Sequence, residues 1–197
     1  MVNITAVVED ELHENILKKM QLEIPDINIE QILGKRGSGY VEKHLKAFNN
    51  AAKLKPYVIL LDLDFRPCPP SYIKKIVMFN RQPQLCINIA VRIAETWLIA
   101  DRKNFAGFLG ISMAKICRDV ESIAEPKKYI FKLTEKSRNR QLREAIIPRQ
   151  GARTGPLYNT ALAEFIFDHW DINQACECSP SLCRFIERFK MIGENIE

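Results

Sequence analysis

The run Tyr57–Leu61, YVILL, constrains this chain more than any other segment. Five consecutive apolar residues without alternation leave no face for water. A strand built from them is therefore buried on both sides, as in a parallel sheet covered by helices. The run ends in Asp62-Leu63-Asp64, and Pro69 and Pro70 follow, with Ser71 placed to cap a helix reaching Val77. Three further runs share the strand character: Asn3–Val8, the weaker Ile27–Leu33, and Cys86–Val91. Helical periodicity separates them. Leu12, Ile16, Leu17 and Met20 recur after the first run, and Val41, Leu45, Phe48 and Ala52 follow the second beyond the glycine-broken GKRGSGY. The fourth leads into RIAETWLIADRKNFAGFLGI, helical with an interruption near Asp101. Four strands alternating with helices predict an α/β fold with a mostly parallel four-stranded sheet flanked by helices.

After Gly110 the strand signal stops, and residues 111–197 read as helices divided by Pro126, Pro148, Gly151, Gly155 and Pro156. The expected organisation is an α/β core over 1–110 and a helical C-terminal half over 111–197, packed on or beside it. The length of 197 residues, with 47% hydrophobic and 27% charged, suits one such core and excludes a disordered or fibrous chain. No apolar run approaches the ~18 residues that span a bilayer, and MVNITAVVED lacks the basic head and cleavage site of a signal peptide. The expectation is a cytoplasmic protein without membrane contact. Cys68, Cys86, Cys117, Cys176, Cys178 and Cys183 include no Cys-x-x-Cys pair and read mostly as small buried hydrophobes. Together with His169, the last three fit no common zinc spacing.

Charge is distributed unevenly. The net charge of +5 conceals seven acids against two bases in residues 1–33, and five acids against thirteen bases in residues 102–153. A basic block of this kind attracts a polyanion, or is a solvated helical surface. Arg138, Arg140 and Arg143 are its candidate nucleic-acid contacts, joined by Lys35 and Arg36 of the glycine-rich loop, which lacks a full P-loop pattern.

In an open parallel sheet the ligand crevice lies beyond the carboxyl ends of the strands. There the sequence delivers Glu9 and Asp10 after the first run, Asp62 and Asp64 after the third, and Glu95 in the first turn of the helix after the fourth. Carboxylates held close together repel unless a cation lies between them, and hard oxygen donors favour Mg2+ or Mn2+. Asp10 and Glu11 read as favouring the helix dipole. His13, one helical turn after Glu9, could face the cleft but reads first as a surface residue.

An acid closing the first strand and a later apolar strand ending in Asp-x-Asp resemble the TOPRIM fold of primases, topoisomerases and overcoming-lysogenization-defect nucleases. Glu9, Asp62 and Asp64 stand at its three signature positions. PYVILLDLDFRPCPPS and NIAVRIAETWLIADRKNFAGFLGIS resemble more closely a bacterial TOPRIM-like family with a Glu-x-Trp-x-x-x-Asp segment, here Glu95, Trp97 and Asp101. GPLYNTALAEFIFDHW and SPSLCRFIERF are similar to that family too. Asp10 departs from the glycine that usually follows the first-strand glutamate, and Ile93 replaces an acid.

The resemblance implies a divalent-metal-dependent nuclease acting on DNA or RNA. Asp62 and Asp64 would hold Mg2+ or Mn2+, Glu9 would serve as ligand or general acid/base, and Glu95 would be a further catalytic acid. It also implies an ATPase partner in anti-phage defence and leaves room for a homo-oligomer. Two other readings stand beside it: a catalytically degenerate regulatory or binding subunit of an ATPase, and a haloacid-dehalogenase-like phosphatase using Asp62 as nucleophile, which Phe65 and Arg66 do not suit.

Overall fold

The computed structural model describes residues 1–194 and divides into two compact units. The first comprises Met1–Ile93 and the chain from Ser181 onward; the second is Ala94–Pro180. The division therefore falls some way before the boundary expected near residue 110, and the last helix belongs to the first unit instead of to a continuous C-terminal half.

The first unit holds strands β1 (Val2–Val8), β2 (Ile27–Gly34), β3 (Tyr57–Asp62) and β4 (Leu85–Ala90). They form one four-stranded parallel sheet in the order β2-β1-β3-β4. The strands alternate with helices α1 (Glu11–Glu23), α2 (Ser38–Ala51) and α3 (Pro69–Ile76). Every residue of β3 is buried, as its unbroken apolar run requires, and Asp62 is its last residue.

The chain moves from β1 to β2 on one side, then crosses back over β1 to β3. Right-handed crossovers in opposite directions place α1 and α2 on opposite faces. Val41, Leu45 and Phe48 of α2 and Tyr72 of α3 share a buried cluster with Val7, Ile59, Ile87 and Ile89. α1 turns Leu12, Ile16, Leu17 and Met20 inward. The strand order reverses between β1 and β3, which makes the carboxyl ends of these two strands the topological switch point.

α3 starts earlier than Ser71 predicts. Cys68 is its N-cap and the prolines fill its first positions, where a missing N–H costs nothing, while the Ser71 hydroxyl donates to the Cys68 carbonyl.

The second unit contains α4 (Ala94–Ala100), α5 (Arg102–Leu109), α6 (Pro126–Thr134), α7 (Arg140–Ile146), α8 (Tyr158–Asp168) and α9 (Ile172–Cys176). Phe105 and Phe165 meet edge to face at its centre, with ring centroids 5.0 Å apart. At Gly155 a Cβ would lie 2.2 Å from the Ala145 carbonyl oxygen, so only glycine lets the chain pass the end of α7. The last helix, α10 (Pro180–Glu194), runs into the first unit from Ser181. The six cysteines are free. Against the expectation of buried hydrophobes, Cys68 and Cys117 are exposed and the other four are only half-buried.

Candidate functional site at the carboxyl edge of the sheet

The glycine-rich loop fastens the end of β1. Lys35 N donates to the Val8 carbonyl (2.9 Å) and Gly37 N to the Glu9 carbonyl (2.9 Å). Gly34 has φ +101°, and a Cβ there would stand 2.1 Å from Val8 O, so the approach needs glycine. The loop thus positions the backbone at Glu9. Lys35 pairs with Glu14 (3.0 Å), which also binds Lys18 (2.8 Å); these cations, Lys18 first, hold Glu14 below the usual carboxylate range. Arg36 lies over the Tyr40 ring.

Glu9 and Asp62, from β1 and β3, are brought together. Asp62 N donates to Glu9 Oε1 at 2.8 Å. Glu9 is only 9% exposed. Burial first, then the neighbouring Asp62 charge, push its pKa up to about 7, while the bond from Asp62 N and the charge of His13 act against the rise.

His13 is fully buried, contrary to its reading as a surface residue. It bridges two acids: Nε2 lies 3.0 Å from Asp62 Oδ1 and Nδ1 lies 2.9 Å from Asp10 Oδ1. Burial alone would lower the pKa of the imidazole. The Asp62 charge and the hydrogen bonds to Asp10 and Asp62 outweigh it and hold the pKa well above the ordinary value. Asp10 is the N-cap of α1, accepting from His13 N (3.1 Å) as well. Asp10 therefore holds the histidine that holds Asp62. The signal was present in the sequence, because His13, Ile16, Leu17 and Met20 share one helical stripe and a polar residue on an apolar stripe is buried with a partner.

Asp64 is turned to a different task. Its backbone is left-handed (φ 53°), which aspartate tolerates better than most residues. Its Oδ2 accepts from Arg66 Nη1 at 3.1 Å. Arg66 also binds Glu42 (3.0 Å) and lies 3.9 Å over the Tyr72 ring, and the Tyr72 hydroxyl donates to Glu42 (2.6 Å). Burial, then that bond to Glu42, raises the Tyr72 pKa. Arg92 donates to the carbonyls of Asp64 (3.2 Å) and Arg66 (2.9 Å), stapling the loop after β3. Sequence reasoning gave no site role to Arg66, Glu42, Tyr72 or Arg92, whose contacts join residues 24 to 30 positions apart.

Glu95 lies in the second unit, 3% exposed, with Oε1 3.3 Å from both the Tyr158 hydroxyl and Lys127 Nζ. Its motif neighbours are structural. Trp97 is fully buried, with its carbonyl accepting from Trp170 Nε1 (3.3 Å). Asp101 caps α5 and accepts from Asp171 N (2.8 Å).

The basic candidates do not form one group. Lys35 and Arg36 belong to the first unit and Arg138, Arg140 and Arg143 to the second. Arg140 pairs with Glu144 one turn away (2.7 Å), Arg143 donates to the Ser137 carbonyl, and Arg138 is exposed.

For a divalent cation, the donor chemistry of Glu9 and Asp62 is suitable, since both offer hard oxygens and Glu9 is already destabilised as an anion by burial and then by the Asp62 charge. Among the described residues no group of three or more His, Cys, Asp or Glu side chains is placed to hold a metal ion, so Glu9, Asp62 and Asp64 do not gather into the three-acid set expected from the sequence. Mg2+ is commonly held by one or two carboxylates, with water and substrate phosphate completing its shell. Glu9 and Asp62 supply side chains of that type, while Asp64 is held by Arg66. Comparison of the chain with family models, with curated proteins and with solved structures found no match.

Proposed function

We propose that this protein is a divalent-metal-dependent phosphodiesterase of the TOPRIM type acting on nucleic acid, with Glu9 and Asp62 at its centre. The observation that carries the reading is their pairing at the switch point of the sheet, where burial and then the Asp62 charge push the Glu9 pKa up to about 7. A carboxyl with that value can both take and release a proton at neutral pH, as a general acid/base must. Bound Mg2+ or Mn2+ would supply charge neutralisation at the phosphate and activation of water. Asp62 would hold the ion, with Glu9 either as its second ligand or, left unbound, as the general acid/base. His13 fixes the orientation of the Asp62 carboxylate from its buried side, and Arg66 and Arg92 fix the loop carrying Asp64. DNA or RNA is the substrate class, with the exposed Arg138 and the other cations of residues 102–153 as backbone contacts whose effect should fall steeply with salt. An ATPase partner and a role in anti-phage defence accompany this reading through the TOPRIM resemblance.

The test is cleavage of single- and double-stranded DNA and of RNA with Mn2+ or Mg2+, alongside calorimetric Mn2+ titration. Metal-dependent cleavage that Asp62→Ala abolishes and Glu9→Gln strongly reduces is the expected result. A second reading is favoured by one specific observation: the chain supplies its own cations to two acids, His13 to Asp62 and Arg66 to Asp64. That arrangement suits a regulatory or binding subunit that needs no metal. Absence of cleavage with Mn2+ and the partner present, together with full biological activity of Asp62→Ala, would establish it in place of the enzyme.

A further inference from the structure

The sign of the charge changes across the sheet of the first unit. Residues 1–33, which supply the α1 face, hold seven acids against two bases, whereas residues 35–93, which supply α2 and α3 on the opposite face, hold eleven bases against three acids. Those three acids are withdrawn from the surface. Asp62 is buried, Asp64 accepts from Arg66, and Glu42 accepts from both Arg66 and Tyr72.

α2 and α3 lie side by side, joined by the Tyr72–Glu42 bond and a shared buried cluster. Buried Asn49 pins the segment after α3 to α2. Its Nδ2 donates to the Asn80 carbonyl (3.0 Å) and its Oδ1 accepts from Gln82 N (2.8 Å), with exposed Arg81 between them. Val41, Leu45, Phe48 and Ala52 of α2 and its cap are buried, and Lys43, Lys46, Asn50 and Lys53 recur at helical spacing on the opposite side, all exposed. Lys43, Lys46, Lys53, Lys75 and Arg81 form no ion pair among the described residues.

A helix surface that only meets water is mixed in sign, as α1 is, where Lys18 pairs with Glu14 and Lys19 with Glu23 one turn away. On α2, Lys43 and Lys46 stand three residues apart and repel. The acid one turn before Lys46 is Glu42, which is turned to Arg66 and Tyr72 instead. Lys74 and Lys75 favour the dipole in the last turn of α3, a role that Lys43 and Lys46 in the body of α2 do not have. A row of unopposed cations on a rigid helix is a surface for a polyanion.

From Lys43 to Lys53 the row runs about 15 Å, the axial length of about four phosphates of one duplex strand. It carries no aromatic ring on which an unpaired base could stack, so it suits a regular duplex backbone better than a single strand. α2 follows the end of β2, so the row starts near the carboxyl edge of the sheet, the edge that holds Glu9 and Asp62.

We propose that the α2–α3 face of the first unit binds the phosphate backbone of duplex nucleic acid through Lys43, Lys46, Lys53, Lys75 and Arg81. Its ligand class rests on the phosphodiesterase reading, and it adds to residues 102–153 a set of backbone contacts in the unit that carries the Glu9–Asp62 pair.

Fluorescence anisotropy of the full chain with two unrelated labelled DNA duplexes of about 20 base pairs, in EDTA and between about 50 and 200 mM salt, tests it. Both duplexes should bind alike and weaken steeply with salt. Lys43→Gln/Lys46→Gln should weaken binding about tenfold or more at about 50 mM salt and reduce the slope of log K against log salt by about 2, at unchanged thermal midpoint. Lys18→Gln/Lys19→Gln removes the same charge from the α1 face and should change the affinity less than about twofold. Equal losses in the two double variants, or no duplex binding at about 50 mM salt, overturns the proposal. So does loss of binding to phosphatidylserine vesicles in Lys43→Gln/Lys46→Gln with duplex binding untouched, which would assign the face to a lipid surface. Hydrolysis of bis(p-nitrophenyl) phosphate by the wild type with Mn2+, a diester too small to need α2, separates the two readings. Hydrolysis without duplex binding discards the face and retains the phosphodiesterase, and duplex binding without hydrolysis does the reverse.

Discussion

Two pairs of buried acids in this molecule are stabilised in different ways. In the second unit, Asp101 is surrounded by donors: Asn104 N and Nδ2 and Asp171 N all point at its carboxylate, and Glu95 has the Tyr158 hydroxyl and Lys127. In the first unit, Glu9 and Asp62 stand beside each other, and the positive charge goes to Asp62 through His13 while Glu9 carries the strain as a raised pKa. Acids satisfied by donors stabilise a fold. An acid held against another acid keeps a proton available near neutral pH, which is what chemistry requires.

The largest way to break this contrast is His13→Leu. It removes the cation 3.0 Å from Asp62 Oδ1 without opening a large void. Loss of one partner of a buried pair costs roughly 3–5 kcal/mol, read by urea unfolding at pH 6. His13 has a folded-state pKa above its unfolded one, so its contribution is complete below about pH 6.5 and is lost as pH rises through the folded value. The gap between wild type and variant should therefore narrow in alkaline solution. A gap that widens there would show that His13 is neutral in the folded state.

Next in size is Asp101→Ala. It removes the α5 cap and leaves Asp171 N, 2.8 Å away, without its acceptor. A cap is worth about 1 kcal/mol and an orphaned buried donor about 1–3 kcal/mol, so a loss of roughly 2–4 kcal/mol is expected in denaturant unfolding. The cleavage proposed for the Glu9–Asp62 pair, measured per folded molecule, should not change.

Glu9→Gln should act in the opposite direction. A folded pKa of about 7 against 4.5 unfolded means that ionising Glu9 destabilises the fold, with no penalty below pH 4.5 and the full penalty above about pH 7. Glutamine keeps an oxygen for Asp62 N and has no charge to bury. The variant should be about 1–3 kcal/mol more stable than wild type at pH 8 and nearly equal at pH 5, measured by thermal unfolding at both values. A gain in stability with a loss of cleavage would mark Glu9 as a residue retained for function.

The strands were legible because each is an apolar run bounded by charge or turn residues, and the acids at their ends were legible because β1 and β3 stop where those runs stop. Parallel topology put Glu9 and Asp62 on one edge of the sheet; their adjacency also needed β1 beside β3, which no residue pattern announces. The unit boundary was not legible: α4 continues the helical reading without a break at Ile93, and an amphipathic helix such as α10 does not encode which unit its Leu182, Phe185 and Phe189 join. His13 was readable from its stripe and from its place one helical turn after Glu9, although the surface reading was preferred. Asp64 was not readable at all, because a two-residue spacing puts two side chains on one side only while the chain stays extended, and φ becomes positive at Asp64 itself.

That turn sets the smallest expected effect. Asp64 is half exposed, its side chain 42% accessible, and its partner Arg66 keeps Glu42 and the Tyr72 ring whether or not Asp64 is charged. An exposed ion pair contributes little, so Asp64→Asn should change stability by no more than about 0.5 kcal/mol. Asparagine accepts the left-handed backbone as readily as aspartate, so no strain is added. The substitution isolates one quantity, the charge that Asp64 adds to the carboxyl edge, where it contributes to the rise in the Glu9 pKa. Removing it should lower the Glu9 pKa slightly, seen by NMR titration of the Glu9 carboxyl, and should leave cleavage weakened but present. Complete loss of cleavage with an unchanged fold would instead make Asp64 a third ligand that Arg66 releases, and the contrast between the two acid pairs would then rest on three residues of the first unit.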